Sequence, residues 1–207
     1  MQTAIPRDEP SLDLEPVLPI VLRLQPVLEL DDEQFRTFCG INPQLRVERT
    51  AEGDLEVIPP VGRRTGRRNA EITRQLGNWA RQDGTGEALD SSAGFLIPNR
   101  AIRSPDAAWM PHALLESIGA PDDDGYLAAC PYFAIELRSR TDRLGALQAK
   151  LREYLEHGAR LGWLIDPISG LAFIYRPGHV VERLERPERM SADPELPGFV
   201  LDLSEIW

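Results

Sequence analysis

The fold is decided by residues 131–167, PYFAIELRSRTDRLGALQAKLREYLEHGARLGWLIDP, which have the pattern of a strand, a turn, a helix and a second strand. The alternation from Tyr132 to Leu137 is typical of a strand and places Glu136 on the face opposite Ile135. Glu136 is therefore a carboxylate within an apolar strand. Burying an ionised carboxylate is costly unless a cation, a metal or hydrogen-bond donors meet it, so Glu136 is a candidate functional residue.

The helix in this stretch carries a lysine at the border of its apolar side. Thr141 or Asp142 could cap its start, and Gly158 is well placed to end it. The apolar residues that recur at helical spacing are Leu144, Leu147, Leu151, Tyr154 and Leu155. At about 100° per residue, Lys150 lies roughly 90° from the centre of this stripe. Its stem could therefore carry the ammonium to the strand ends near Glu136.

Lys150 is also the only lysine in the chain, because 22 of the 23 basic residues are arginines. The pKa of an ammonium can be lowered by its surroundings, whereas a guanidinium stays charged, so a single lysine suits proton transfer or the activation of water. The simpler interpretation is a lysine at a helix border whose head reaches solvent.

The whole chain is long enough for one substantial core. Its 207 residues are 42% hydrophobic, which predicts one domain over residues 31–207 and an acidic, proline-rich arm over residues 1–30. The net charge of -10 argues against nonspecific coating of nucleic acid but permits a local basic groove. The two cysteines have no metal-site or disulfide pattern, and no membrane-spanning or signal pattern is present, so we expect a cytoplasmic protein.

The most basic segment is the predicted loop VGRRTGRRN, which contains Arg63, Arg64, Arg67 and Arg68. Guanidinium groups and free backbone N–H groups both favour phosphate oxygens, so this loop is the candidate phosphate and DNA contact. The alternative is an ordinary solvated loop, which most charge runs are. The helix that follows is expected to begin near Asn69.

A second candidate acid is Asp106, in the predicted strand of residues 102–110. Pro105 fixes the local backbone and has no N–H, and Asp106 opens a small apolar run that is typical of a buried strand. An aspartate in this position could also simply cap a turn.

Asp106, Glu136 and Lys150 could converge beside one sheet. Two carboxylates can hold Mg²⁺ through oxygen ligands, and a nearby lysine can orient or deprotonate the attacking water. A shared metal and water would keep the three side-chain heads within roughly 4 to 7 Å of one another. This combination is typical of a metal-dependent phosphodiesterase.

The sequence resembles the Uma-two family of restriction endonucleases, within the PD-(D/E)XK nuclease superfamily, from about Phe35 to Trp207. The matching segments are SPDAAW, AIELRS, LQAKLREYLEHGARLGWLIDP, IYRPG and LPGFVLDLSEIW. The resemblance implies an α/β (α+β) fold with a restriction-endonuclease-like core, in which a mixed sheet is flanked by helices, and a divalent-metal site for Mg²⁺ or Mn²⁺. The superfamily's PD matches Pro105-Asp106, and its second acid matches Glu136.

The sequence departs from the superfamily pattern at the third position, because Arg138 stands where a lysine is expected. Arginine is effectively never deprotonated and cannot serve as a base, although it could stabilise charge on a phosphate. The lysine can have moved to the neighbouring helix, where Lys150 is available.

These observations predict a Mg²⁺-dependent DNA endonuclease, with Asp106 and Glu136 as metal ligands and Lys150 positioning or activating water. The rival interpretation is a noncatalytic interaction module that keeps the fold. A hairpin is expected around residues 51–54, and the apolar terminal segment 199–207 is expected to form a strand. That apolar segment, together with the two cuts that a duplex requires, predicts a homodimer.

Overall fold

A computed structural model describes residues 19–119 and 125–207 of the chain. Most of the predicted arm, residues 1–18, lies outside the described residues. The helices in the described part are α1 (Asp32–Ile41), α2 (Arg63–Asp83), α3 (His112–Ser117) and α4 (Leu144–Glu156). The strands there are β1 (Ile20–Leu22), β2 (Arg46–Arg49), β3 (Leu55–Ile58), β4 (Gly86–Asp90), β5 (Phe95–Leu96), β6 (Ile102–Arg103), β7 (Ala107–Pro111), β8 (Phe133–Leu137), β9 (Leu161–Asp166), β10 (Leu171–Tyr175), β11 (Glu182–Glu185), β12 (Arg189–Ser191) and β13 (Val200–Asp202).

The core is built on a six-stranded sheet in the order β11-β10-β9-β8-β7-β4. Strands β8 and β9 are parallel, and the other neighbours are antiparallel, so the sheet is mixed. Helix α2 covers one face with Ile72 and Leu76, and helix α4 covers the other face with Leu151 and Tyr154. The predicted mixed sheet flanked by helices is confirmed.

The β8-α4-β9 unit follows the sequence pattern closely. Ile135 and its neighbours two residues away pack against the α2 side, whereas Ala134 packs against the α4 side. Because side chains alternate along a strand, Glu136 faces α4. The helix begins at Leu144 without a side-chain cap and ends before Gly158, whose φ of 121° is a conformation that glycine adopts readily.

A second, five-stranded sheet has the order β1-β3-β2-β6-β5. Its β2-β3 hairpin turns at residues 50–54, as the sequence predicts, and packs with Phe35 of α1 against Leu55 and Ile102. Strand β1 lies inside the range predicted as a flexible or extended arm and pairs with β3. The structured region therefore begins before residue 31.

The predicted strand of residues 102–110 is divided between the two sheets. Its first part, β6, belongs to the five-stranded sheet, and its second part, β7, belongs to the six-stranded sheet. Pro105 lies at the break, where its missing N–H costs no ladder hydrogen bond. Asp106 consequently stands at the junction of the two sheets.

The apolar C-terminal segment belongs to the core of this chain. Phe199, Leu201, Leu203 and Ile206 are at most 1% exposed and pack in the same cluster as α2. Only residues 200–202 of the predicted terminal strand form one, which pairs with β12. The segment is not a free apolar surface, so this part of the argument for a homodimer was wrong.

No helix in residues 19–119 and 125–207 combines the length and the apolar character that a membrane crossing requires.

Candidate active site

Asp106 is fixed at the junction of the sheets by the backbone of β8. Its Oδ2 accepts a hydrogen bond of 2.8 Å from the N–H of Leu137, the residue after Glu136. Burial raises the pKa of Asp106, and the Leu137 N–H and the charges of Arg46 and Lys150 only partly offset it. The aspartate predicted from sequence therefore lies beside the end of the strand that carries Glu136, and it does not cap a turn.

Glu136 is buried, at 2% exposure, on the α4 side of the sheet. Its Oε1 accepts a hydrogen bond of 3.1 Å from the hydroxyl of Tyr154 and lies 3.1 Å from Nζ of Lys150. Burial raises its pKa to about 7 in spite of Lys150, and the negative charges of Asp106 and Glu48 add to the shift. Negative charge is thus concentrated at this point.

Lys150 extends from α4 into the gap between two carboxylates. Its Nζ lies 2.8 Å from Oε1 of Glu48 and 3.1 Å from Oε1 of Glu136, and its side chain is 13% exposed. Burial would lower its pKa, but the carboxylates of Glu136 and Glu48 raise it above the usual value. Lys150 is consequently an ammonium held by ion pairs, and it does not project into solvent.

The sequence interpretation missed Glu48, which lies on β2 and is 2% exposed. Glu48 accepts hydrogen bonds from Lys150 and from the N–H of Ser104, at 2.8 and 2.9 Å. Burial raises the pKa of Glu48, but the positive charges of Lys150 and Arg103 lower it by more than that. The pKa therefore lies below its usual value, and Glu48 stays ionised. The signal that could have revealed it is the one that singled out Glu136, an acid within a strand.

Arg103 joins three of the elements that surround the site, β2, β3 and α4. Its guanidinium lies 3.3 Å from Glu48 on β2, 2.7 Å from Glu56 on β3 and 2.8 Å from Glu153 on α4. The arginine therefore ties the five-stranded sheet to the helix that carries Lys150. Such a link fixes the distance between the two elements that supply the site.

Arg138 lies outside this cluster. Its Nη1 donates to Oδ2 of Asp166 at 2.8 Å, and its Nε donates to the carbonyl of Asp142 at 3.3 Å. The guanidinium at the position where the sequence resemblance leads one to expect a lysine is thus engaged by the neighbouring strand β9. Of the two basic residues considered from the sequence, Lys150 is the one that contacts Glu136.

The carboxylates of Asp106 and Glu136 suit a hard divalent cation. Within the described residues, Oδ1 of Asp106 and Oε2 of Glu136 have no hydrogen-bond partner. Residues 19–119 and 125–207 contain no group of three or more His, Cys, Asp or Glu side chains with metal-site geometry. Mg²⁺ commonly uses one or two protein carboxylates and keeps several waters, so a two-carboxylate site fits Mg²⁺ and does not fit a metal enclosed by protein ligands alone.

The four arginines predicted as a loop form the first two turns of α2, because this helix begins at Arg63 and not near Asn69. Arg67 pairs with Glu205 at 2.6 Å, whereas Arg63 and Arg64 are exposed. Burial lowers the pKa of Arg68, and the positive charges of Arg64 and Arg67 add to the shift. The segment is therefore a concentrated positive charge at a helix start.

This arginine cluster and the carboxylates lie at the same end of the six-stranded sheet. Helix α2 runs into β4, and β4 pairs with β7 so that Gly86 lies opposite Pro111 and Asp90 opposite Ala107. Only Gly84 and Thr85 separate α2 from β4, and α2 packs back along β4 and β7, so its start points towards the Ala107 end of the sheet, although α2 and α4 cover opposite faces. The structure shows no direct contact between the four arginines and the carboxylates among the described residues.

Comparisons with known proteins agree with this architecture. The family model Uma2, described as "Putative restriction endonuclease", matches residues 32–204. No curated protein matches the sequence. A solved structure from Anabaena variabilis ATCC 29413, described as "a putative nuclease belonging to DUF820", is similar with a TM-score of 0.65 and 18% identity. That match covers 77% of this chain and 88% of the other, and at this identity it establishes the fold alone.

Proposed function

This chain belongs to the Uma2 family, and from that premise we propose that it is a divalent-metal-dependent endonuclease that hydrolyses phosphodiester bonds in DNA. The observation that carries the proposal is the meeting of Glu136 with the only lysine, at 3.1 Å, beside a second acid, Asp106. Two carboxylates with free oxygens can hold a divalent metal, and a neighbouring ammonium can orient water or stabilise charge during phosphodiester hydrolysis.

In this proposal Asp106 and Glu136 hold Mg²⁺ or Mn²⁺. When bound, the metal would neutralise charge on the phosphate and favour a hydroxide nucleophile at neutral pH. Tyr154 holds Glu136 in place through the 3.1 Å hydrogen bond to Oε1, which leaves Oε2 free. The Leu137 N–H likewise holds Asp106 in place through its hydrogen bond to Oδ2, which leaves Oδ1 free.

The contacts of Lys150 favour positioning over proton abstraction. An ammonium has no lone pair and cannot accept a proton, and the two neighbouring carboxylates raise its pKa. It can donate hydrogen bonds to water or to a phosphate oxygen on which negative charge develops. We therefore assign to Lys150 the orientation of water and the stabilisation of charge.

DNA is the proposed substrate, and the α2 start is its proposed contact. Arg63 and Arg64 are exposed and form no ion pair within residues 19–119 and 125–207. Each such arginine can contact a phosphate, and each lost contact should lower the salt dependence of binding by about one unit. The double variant Arg63→Gln/Arg64→Gln should bind a short duplex more weakly, whereas Arg81→Gln, at the other end of α2, should bind like wild type.

The deciding experiment is a calorimetric titration with Mn²⁺ of wild type and Asp106→Asn, together with cleavage of plasmid DNA. We expect the variant to lose metal binding and cleavage while it stays folded. Glu29→Gln, which changes an exposed acid that pairs with exposed Arg100, is the matched control and should bind Mn²⁺ normally. Binding that persists in Asp106→Asn would contradict the site, and a wild type without binding or cleavage would favour the noncatalytic interaction module.

Two further parts of the proposal concern assembly and location. A double-strand cut requires two hydrolytic events, which two copies of one active site can supply, so we propose a homodimer. Sedimentation that shows only monomer at micromolar concentration, with and without duplex DNA, would contradict it. We also propose a cytoplasmic location, where DNA is accessible.

A further inference from the structure

Arg46 is fixed beside the candidate active site by the backbone next to Asp106. It lies on β2 two residues before Glu48, so both side chains face the same side of the strand. Its Nη2 donates a hydrogen bond of 2.9 Å to the carbonyl of Ser104. Ser104 is two residues before Asp106, so the guanidinium is anchored at the junction of the two sheets.

The described residues supply no partner for the other donors of Arg46. Its Nε is shielded from solvent and has no hydrogen-bond partner, and the side chain forms no ion pair within 4.0 Å in the described part of the chain. Two arginines of the same region behave differently, since Arg103 pairs with three carboxylates and Arg138 pairs with Asp166. An unsatisfied shielded donor is unfavourable, so Arg46 would be stabilised by a partner that the described residues do not supply.

The surroundings of Arg46 indicate the chemistry of that partner. Its guanidinium is bonded to the carbonyl of Ser104, two residues before Asp106, and forms no ion pair within 4.0 Å with Asp106 or Asp90. Its cross-strand partner is Ile58, from which the chain continues into the arginine-rich start of α2. A phosphodiester would meet the metal-binding carboxylates and a guanidinium fork here at the same time.

We propose that Arg46 binds the phosphate that is cleaved, with its free N–H groups donating to a nonbridging oxygen. This inference rests on the proposed nuclease function. Anchored by Ser104, the guanidinium would be preorganised to stabilise the negative charge that develops on the phosphate. Arg46 is then a catalytic residue that contacts substrate, and it is distinct from Arg103, whose donors are taken by carboxylates of the chain itself.

The test compares Arg46→Gln and Arg46→Lys with Arg36→Gln, which removes one exposed positive charge from α1. We expect kcat of Arg46→Gln to fall by about 10²-fold or more, as when one donor to a developing oxyanion is lost. Mn²⁺ affinity should stay near wild type because Arg46 is not a metal ligand, and the urea midpoint should fall only slightly because a single hydrogen bond, to the Ser104 carbonyl, is lost. Arg46→Lys keeps the charge and should retain part of the activity, and Arg36→Gln should match wild type.

Two readouts separate substrate contact from a structural role. Methylguanidinium at millimolar concentration should restore cleavage by Arg46→Gln, whereas KCl at equal ionic strength should not. Anisotropy of a labelled duplex in Ca²⁺ should show weaker binding by Arg46→Gln, with the salt slope reduced by about one unit.

The outcomes keep the two proposals apart. An active wild type with an equally active Arg46→Gln, or a variant that methylguanidinium does not rescue, would overturn the role of Arg46 alone. A wild type that neither binds Mn²⁺ nor cuts DNA would overturn the nuclease proposal, and the role of Arg46 with it.

Discussion

Nζ of Lys150 lies 2.8 Å from Oε1 of Glu48, although 102 residues separate them in the chain. The contact joins α4, on the six-stranded sheet, to β2 of the five-stranded sheet. Both side chains are largely buried, at 13% and 2% exposure. Lys150 therefore contributes to stability as well as to the proposed chemistry, so its substitution should affect both unfolding and cleavage.

Replacing Lys150 by methionine should destabilise the protein and abolish cleavage. The change removes the cation that Glu136 contacts and leaves Glu48 with Arg103 alone, and breaking a buried ion pair typically costs about 3–5 kcal/mol. Cleavage by the folded fraction should fall by about 10²-fold or more. Urea unfolding and plasmid cleavage measure the two effects. Arg152→Met, an exposed position on the same helix, should leave both unchanged, and a stable Lys150→Met would contradict the ion-pair assignment.

Replacing Lys150 by arginine separates the charge from the shape of the head. An arginine keeps the positive charge near Glu48 and Glu136, so we expect a smaller loss of stability than for methionine. Because its planar fork cannot take the position of a compact ammonium, cleavage should still drop. Wild-type rates for Lys150→Arg would show that charge alone suffices at this position.

Removing Arg103 should be far more destabilising than removing an exposed arginine. Arg103→Met leaves Glu48, Glu56 and Glu153 without their shared cation, so we expect a loss of about 3–5 kcal/mol in the free energy of unfolding. Arg100→Met removes an arginine that is 60% exposed and pairs with an equally exposed Glu29, and should cost at most about 1 kcal/mol. Urea midpoints of the two variants test this contrast, and similar values would contradict it.

The pair of Arg138 and Asp166 should make stability depend on pH. Burial raises the pKa of Asp166, but hydrogen bonds from Arg138 and Ser169 lower it below its usual value. A lowered pKa in the folded state means that the stabilisation is fully present above the unfolded pKa of about 3.9 and is lost as pH falls.

Asp166→Asn should therefore cost about 1.5–3 kcal/mol at pH 7, and the difference from wild type should shrink below about pH 4. Urea unfolding at both pH values measures it. For the control Glu52→Gln, on the exposed hairpin turn, the difference in free energy of unfolding from wild type should be the same at both pH values. An effect of Asp166→Asn that does not change with pH would argue against the ionised pair.

The two cysteines should differ in reactivity. Cys130 is 6% exposed, its Sγ donates to the carbonyl of Tyr154 at 3.2 Å, and burial raises its pKa to about 12. Cys39 is partly exposed, although burial raises its pKa as well. Since the thiolate is the reactive form, iodoacetamide should modify Cys39 first and Cys130 only on unfolding. Intact-mass and peptide analysis measures the rate of modification of each cysteine, and the protein unfolded in urea is the control. Equal rates for Cys39 and Cys130 in the folded protein would show that the assignment is wrong.

The local pattern of the sequence predicts the β8-α4-β9 unit and the faces of its residues. Strand alternation turns Glu136 away from the α2 side, and helical spacing places Lys150 beside the apolar stripe, where the structure finds them 3.1 Å apart. This succeeds because both periodicities are set by the backbone within one contiguous segment. The α/β fold with a mixed sheet was predicted from the family resemblance.

What only the tertiary structure decided are the relationships between segments distant in sequence. The break at Pro105 is visible in the sequence. The sequence does not show that the chain passes there from one sheet to the other, which places Asp106 at their junction. The partners of Glu48, Arg103 and Arg46 lie on other elements, so local periodicity carries no information about them. The C-terminal segment looks like a free apolar surface until α2 is seen to cover it. Sequence periodicity fixes which way each side chain faces, whereas packing of the sheets and helices fixes what it meets.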